Sequence, residues 1–531
     1  MANNIIKTEM TEKNELNVIN QFFQYFLNFP LVGLSCILII SLLLRFSYFD
    51  SEIPLTLDAL EYFFYALDTS MMGHLPTNYS LENNGWPAFL SIFFSFFKFD
   101  EGMSYIQLQR ILSVIISTSI AIPVYLLCRK FTDKPVSLIA SAIFAFEPRI
   151  ISNSLFGLTE PLYILLCSVS LVFFLSDNKK LVYSSFALVS FATLVRSEAI
   201  FLFIGLSVMF FIKFRHDKFV LPKYVPALLI FALLLLPMAL YRIDVIGNDG
   251  ITGRVIDGME RTQNGATQGI FIGLENYFKF LGWDLIPLFL FFVPIGFFLI
   301  FKNLNYQKIT IIFITFIMSL PAIYAYTIPA LDTRFLFILY PMFCIFSALT
   351  ITKFVKNFSN KNKNLILILI FGLILSSSII FIEYKIVDTE HDKVKLIVAK
   401  YLVESPKVFA GHHPHGYLES VHIFENWNEI KPYFFMDRED GTSIRSNISH
   451  KSTSISTQGF DNIEDFIQKN KENGLTVLVT DENKVSPKFL LDIFQNEEKY
   501  PYLIKKLDTS HLGYSYHVKI FEIDYEKFLL K

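Results

Sequence analysis

Long apolar runs broken by short polar segments dominate the first three quarters of the chain. A helix needs about 20 mostly apolar residues to cross the ~30 Å hydrocarbon core of a bilayer. Runs near that length lie at 31–49, 105–127, 135–151, 161–176, 181–195, 199–214, 224–241, 285–301, 309–326, 334–351 and 364–382. The pattern predicts about eleven transmembrane helices. A further run, WPAFLSIFFSFFKF at 86–99, is too short to span comfortably and ends at Lys98, which predicts an interfacial or re-entrant helix on the outer face. Beyond 383 the pattern changes to a polar mixture. KVKLIVAKYL has helical spacing, LTVLVTD reads as a buried strand, SPKFLLDIFQNEE as a helix after a serine cap, and YSYHVKIFEID alternates like a strand. The expected architecture is a polytopic α-helical membrane protein with a C-terminal α/β domain. It divides into an N-terminal segment 1–30, a membrane domain 31–383 with a large outer loop at 50–104, and a soluble domain 384–531.

Charge orients this arrangement. With 86–99 not crossing and the N-terminus cytoplasmic, the inner loops hold 15 Lys or Arg in 42 residues and the outer loops 8 in 122. The positive-inside rule therefore places segment 1–30 in the cytoplasm and the C-terminal domain outside it. Composition agrees with a membrane chain: of 531 residues, 53% are hydrophobic, 58 are Phe and only 18% are charged. That content excludes a purely soluble enzyme and a disordered chain. A net charge of −2 argues against a nucleic-acid partner. Cys36, Cys128, Cys167 and Cys344 all sit in apolar runs, so no disulfide framework is expected. The polar first 18 residues and the lack of a small-residue cleavage site argue against a cleavable signal peptide.

The candidate chemistry lies in the outer loops. Segment 50–85 carries six acids and no Lys or Arg, and within LDALEYFFYALD the positions Asp58, Glu61 and Tyr62 share a helical face with Tyr65. A carboxylate beside tyrosines at a membrane surface suits a general base or a metal ligand; a solvated acidic face on an interfacial helix is the plainer reading. In FAFEPRIISNSLFGLTEPLY, Glu147, Arg149, Asn153 and Glu160 gather where spans meet water. They suit a functional cluster or simple helix capping, Thr159-Glu160-Pro161 being a sound helix start. Arg196 and Glu198 interrupt LVRSEAIF, and Asp332 and Arg334 interrupt PALDTRFLFILYP. An arginine at a span end can hold a phosphate bidentately, or it can snorkel or pair with its neighbouring acid; Arg110 shares that ambiguity. GHHPHG at 411–416 reads as a polar turn more readily than as a metal site, since adjacent histidines point apart on regular structure. Sequons occur at Asn78, Asn357 and Asn447; the topology leaves the first and third open to glycosylation.

Taken in order, LTLDALEYFFYALD, NNGWPAFLSIFFSFF, YIQLQRILSVIISTSIAIPVYLLCRKF, IASAIFAFEPRIISNSLFGLTEPLYILL, LVRSEA and TRFLFILYPMF resemble the GT-C membrane glycosyltransferases. The likeness is greatest to the branch of protein O-mannosyltransferases and aminoarabinose lipid A transferases, and it covers about 50–350. It implies a hexosyl- or pentosyltransferase in the plasma membrane. Such an enzyme moves a sugar from a polyprenyl-phosphate carrier to a protein or lipid acceptor on the extracytoplasmic face, with inversion. By position, Asp58 matches the family's catalytic carboxylate, with Glu61 one turn on. Glu160 matches the second-loop acid, near Arg149, and Arg334 matches the basic residue near the carrier phosphate, with Arg196 a second candidate to stabilise the growing charge. No metal site is assigned, and a divalent cation stays open as a cofactor. The chain departs from the family at Asn83-Asn84-Gly85-Trp86-Pro87, where a basic residue or a Pro-Pro pair is common, and it has no WWDYG-like motif. The alternatives are an oligosaccharyltransferase-like enzyme moving a whole glycan and a polytopic glycolipid transporter.

Overall fold

The computed structural model describes residues 29–76, 81, 83–250, 253, 269–328, 332–405, 407–414, 416–434, 451–483 and 486–530. Nearly all of segment 1–30, the sequons at Asn78 and Asn447, and His415 lie outside the described residues. The chain divides into two compact units. The first takes in Met1–Phe49, Asn78–Leu90 and Gln109–Ile382; the second takes in Asp50–Thr77, Ser91–Leu108 and Glu383–Lys531.

The first unit is helical. Among the described residues, six helices are long and apolar enough to cross a membrane: Pro30–Ser47, Gly102–Cys128, Val220–Val245, Tyr306–Ala325, Thr333–Val355 and Asn362–Tyr384. Lys134–Ala145 and Pro148–Ser154 would make a seventh as one span bent by 52°. The other predicted spans are helical but shorter: Glu160–Phe174, Lys179–Val195, Ala199–Lys213 and Phe292–Ile300. The run at 86–99 forms the 12-residue helix Gly85–Phe96. A prolyl residue opens several of these helices, where its missing N–H has no intrahelical partner to lose.

Small hydroxyl side chains tie the helices together. Ser141 donates to Ala121 O (2.8 Å), Ser170 to Ser185 O (3.0 Å), Ser190 to Phe231 O (3.1 Å) and Thr350 to Phe292 O (2.6 Å). Between apolar helices in lipid such bonds and close ring packing supply the cohesion that water would otherwise drive; Phe203 stacks on Phe231 at 3.8 Å. Tyr340–Val355 is buried along most of its length, whereas Val220–Ile246 exposes Leu221, Leu229, Leu233, Leu236 and Leu240. An apolar exposed stripe of that extent suits acyl chains and not water.

The second unit holds a five-stranded sheet in the order β2-β1-β3-β5-β4, with β1 Val408–Gly411, β2 Thr453–Ile455, β3 Val477–Asp481, β4 Leu503–Asp508 and β5 Val518–Ile523. β1 pairs in parallel with β2 and β3, while β5 runs antiparallel to β3 and β4. Every residue of β3 is buried, as a central strand covered on both faces requires. On one face Phe409, Val477, Val479, Val518 and Ile520 pack with Val394, Val398, Leu402, Leu418 and Val421; on the other Ala410, Leu478 and Phe521 pack with Phe466, Ile467, Leu490 and Ile493. The edge strand β4 carries Lys505, Lys506 and a register shift, features that discourage pairing with a further strand. The predicted helices appear at Ile386–Val403 and Lys488–Gln495. The serine-cap expectation is corrected: the cap position of the second is Pro487, and Ser486 instead donates to Asp481 Oδ1 at 2.7 Å.

Candidate functional site

In the helical unit the charged residues of segment 147–160 separate into two ionic groups. Glu147 caps Pro148–Ser154, accepting from the N–H groups of Arg149 (2.7 Å) and Ile150 (2.9 Å). The Arg149 guanidinium then lies 3.2 Å from Glu147 Oε1 and 3.5 Å from Asp284 Oδ1. It also donates to Trp283 O at 2.7 Å and to Ile286 O, and stands over the Phe381 ring. Arg149 thus braces the bend in the broken span against the end of the Ile270–Asp284 helix.

Glu160 belongs to the other group. It opens the Glu160–Phe174 helix beside Pro161, and its Oε1 accepts from Arg196 Nη1 at 2.5 Å. Arg196 Nη2 reaches Glu198 Oε1 at 3.1 Å, and the guanidinium lies 5.8 Å from the Tyr163 ring centre. Glu160 is buried, and its Oε2 and the Tyr163 hydroxyl have no hydrogen-bond partner among the described residues. A buried carboxylate oxygen and a buried phenol beside a guanidinium form a polar spot at a span end, where desolvation strengthens each interaction.

Beside Arg196 lies the turn 83–87. A Cβ on Gly85 would come within 2.5 Å of the Leu194 carbonyl carbon, so only glycine lets this turn approach the end of the Lys179–Val195 helix. Asn83 Oδ1 accepts from Ser197 N (3.4 Å), and Asn84 Oδ1 accepts from Arg242 Nη2 at 2.6 Å. Trp86 and Gln109 both donate to Gly157 O, at 3.0 and 2.9 Å. Arg110 donates to Leu155 O at 2.6 Å and covers the Phe49 ring, which gives it a bracing role. Sequence reading did not single out Arg242. It is buried next to a residue 158 positions away, and no local pattern announces such a contact.

Arg334 opens the 3₁₀ turn Thr333–Leu339. Its Nε lies 2.7 Å from Asp332 Oδ2, and Asp332 Oδ1 accepts from Arg334 N at 2.9 Å. Both side chains face solvent in part, at 30% and 42% exposure. This is the local pair that the sequence allowed for, and an exposed pair is worth only about 0–1 kcal/mol, so it exchanges readily for a stronger anion.

In the second unit, Asp58 and Glu61 lie on Leu57–Met72. Asp58 is exposed and Glu61 half-buried, while Tyr62, Tyr65 and Asp68 are buried. The helix face bearing the acids is therefore not uniformly solvated. Leu57, immediately before Asp58, has φ 48°, a left-handed conformation uncommon for a branched apolar residue. At the end of β1, His412 Nδ1 lies 3.0 Å from Asp481 Oδ2, which also accepts from Tyr516 at 2.6 Å. Burial works to raise the Asp481 pKa, and hydrogen bonds from His412, Ser486 and Tyr516 together outweigh it and hold the carboxyl at about 2. Among the described residues no three His, Cys, Asp or Glu side chains converge as a metal would need.

The fold is shared with solved membrane glycosyltransferases of the GT-C type. The archaeal oligosaccharyltransferase AglB of Archaeoglobus fulgidus, in complex with an inhibitory peptide and a dolichol-phosphate, matches with TM-score 0.52 and 12% identity over 91% of this chain and 74% of that one. ArnT of Cupriavidus metallidurans bound to undecaprenyl phosphate matches with TM-score 0.50 and 9% identity over 92% of this chain and 97% of that one. At the level of sequence no protein-family model and no curated protein matches.

Proposed function

We propose that the protein is an integral membrane glycosyltransferase that takes a sugar from a polyprenyl-phosphate carrier and transfers it, with inversion, to a protein or lipid hydroxyl on the extracytoplasmic face. The observation that carries this reading is the likeness, over more than nine tenths of the chain, to two membrane glycosyltransferase structures that hold dolichol-phosphate and undecaprenyl phosphate.

The roles follow from charge and setting. Asp58, exposed in an outer loop without basic residues in its stretch 50–85, is the base that takes the acceptor proton as the new C–O bond forms at the anomeric carbon. The bond from that carbon to the phosphate oxygen breaks on the opposite face, and its electron pair leaves with the carrier phosphate. Arg334 meets that growing charge, its guanidinium being partly exposed in its pair with Asp332. Arg196 is the second phosphate candidate, but two carboxylates already balance it, so we assign it to shaping the site with Glu160. Glu61 is the reserve base, and Arg149 supports the loop. A whole-glycan donor is the second reading, favoured by the match to the oligosaccharyltransferase.

The test is transfer by purified protein in lipid. Labelled polyprenyl-phosphate monosaccharide and a lipid-linked oligosaccharide are offered separately, each with lipid and hydroxyl-bearing peptide acceptors. Label appearing on an acceptor from the monosaccharide donor supports the reading. Transfer only from the oligosaccharide donor moves it to the second reading, and no transfer from either contradicts both.

A further inference from the structure

Residues 50–77 and 91–108 fold in one unit with residues 383–531, and some of the contacts that join them fall on the three residues before Asp58. Lys393 Nζ pairs with Asp50 Oδ2 at 3.0 Å, and Ile53 packs against the sheet's hydrophobic cluster. The Ser420 hydroxyl, fully buried on the Tyr417–Glu425 helix, donates to Leu55 O. Gly416, at φ +74°, presents bare backbone to the next two residues: a Cβ there would lie 3.0 Å from Thr56 Cβ and 3.4 Å from the Leu57 side chain. Further along the loop, Trp427 Nε1 donates to Asp100 O at 2.8 Å and Phe63 packs edge-on to Phe424 at 5.9 Å.

Leu57 shows what these contacts do. A branched residue at φ 48° is strained, and such a conformation persists only where the surroundings over-determine it. Here Ser420 fixes the Leu55 carbonyl, two residues before Leu57, and Gly416 closes one side of the Leu57 side chain, the rest of which is exposed. The strained residue is also the one that sets the direction in which Asp58 leaves the backbone, because Asp58 is its next neighbour on the Leu57–Met72 helix.

We propose that the C-terminal domain positions Asp58: Ser420 and Gly416 are positioning residues that hold Leu57 left-handed and so aim the carboxylate at the acceptor. This rests on the assignment of Asp58 as base. The domain is then part of the catalytic apparatus through Gly416 and the Tyr417–Glu425 helix.

The test uses full-length protein in lipid. Ser420→Ala should lower kcat about tenfold while the acceptor KM stays within about twofold, because a misaimed base still binds substrate. Adding Leu57→Gly, which adopts the left-handed conformation without strain, should restore most of that loss. Amide exchange of residues 59–63 should quicken in Ser420→Ala, with β3 and β5 unchanged. Unchanged exchange at 59–63, or a loss that Leu57→Gly does not restore, overturns the proposal and leaves Ser420 as a docking contact. Asp58→Asn assayed alongside separates the two failures. A dead Asp58→Asn beside a fully active Ser420→Ala removes the positioning claim alone, and an active Asp58→Asn removes the base assignment beneath it.

Discussion

Arg334 and Arg196 carry the same charge in opposite settings. Arg334 pairs with Asp332 at a partly exposed position, whereas Arg196 lies mostly buried between Glu160 and Glu198. Arg334→Ala is therefore expected to weaken donor use by about 1.5–3 kcal/mol, the value of a hydrogen bond to a charged group, with little effect on thermal unfolding. Arg334→Lys should lose part of that, since the charge stays and the planar fork goes. Arg196→Ala should reverse the pattern: stripping a buried carboxylate of its partner costs up to about 3–5 kcal/mol, which a thermal melt would show directly. The sequence marked both arginines, because cations at span ends stand out against apolar neighbours. It could not rank them, since their partners lie up to 36 positions away. Arg242 and Gln109 escaped notice for the same reason: each becomes informative only when folding brings Asn84 or Gly157 beside it.

At the scale of elements, periodicity and turn chemistry were legible wherever the partner was nearby in the chain. β3 and β5, the Ile386–Val403 helix and the short helix Gly85–Phe96 follow the hydrophobic pattern read from sequence. The bend at 146–148 coincides with Glu147-Pro148-Arg149, a charged cap and a proline that start a new helix, although the apolar run read from sequence continued through it to 151. The GHHPHG segment read as polar; among its described residues, the link from His412 to Asp481 joins the ends of two parallel strands, a pairing that only the sheet order reveals. That link has a pH signature. The Asp481 pKa is lowered to about 2, so its contribution is present above the ordinary carboxylate range and is lost as pH falls from about 4 through about 2. Asp481→Asn should destabilise the C-terminal domain at neutral pH by on the order of 2 kcal/mol and flatten its acid unfolding between those values, measured by amide exchange at β1 and β3.

At the scale of the whole molecule, the GT-C fold and the multi-pass character were readable from the order of the loops and from composition. The assignment of residues 50–77 and 91–108 to the same compact unit as residues 383–531 was not, since it depends on contacts more than 300 positions apart, such as Ser420 with Leu55. The charge bias of the loops predicts sidedness: in intact cells an impermeant thiol reagent should label Lys98→Cys and Lys451→Cys and spare Lys356→Cys. Protection of position 451 would mean an odd error in the number of crossings.

The central claim is that this fold transfers a sugar with Asp58 as the base. The most direct measurement is single-turnover transfer from labelled polyprenyl-phosphate sugar by purified wild-type and Asp58→Asn protein, with donor binding measured on the same samples. A general base contributes typically 10²–10⁴-fold, so turnover should fall by about that factor while donor binding changes little. Turnover by folded Asp58→Asn within about twofold of wild type would contradict the account, since no base worth that factor could then reside at position 58.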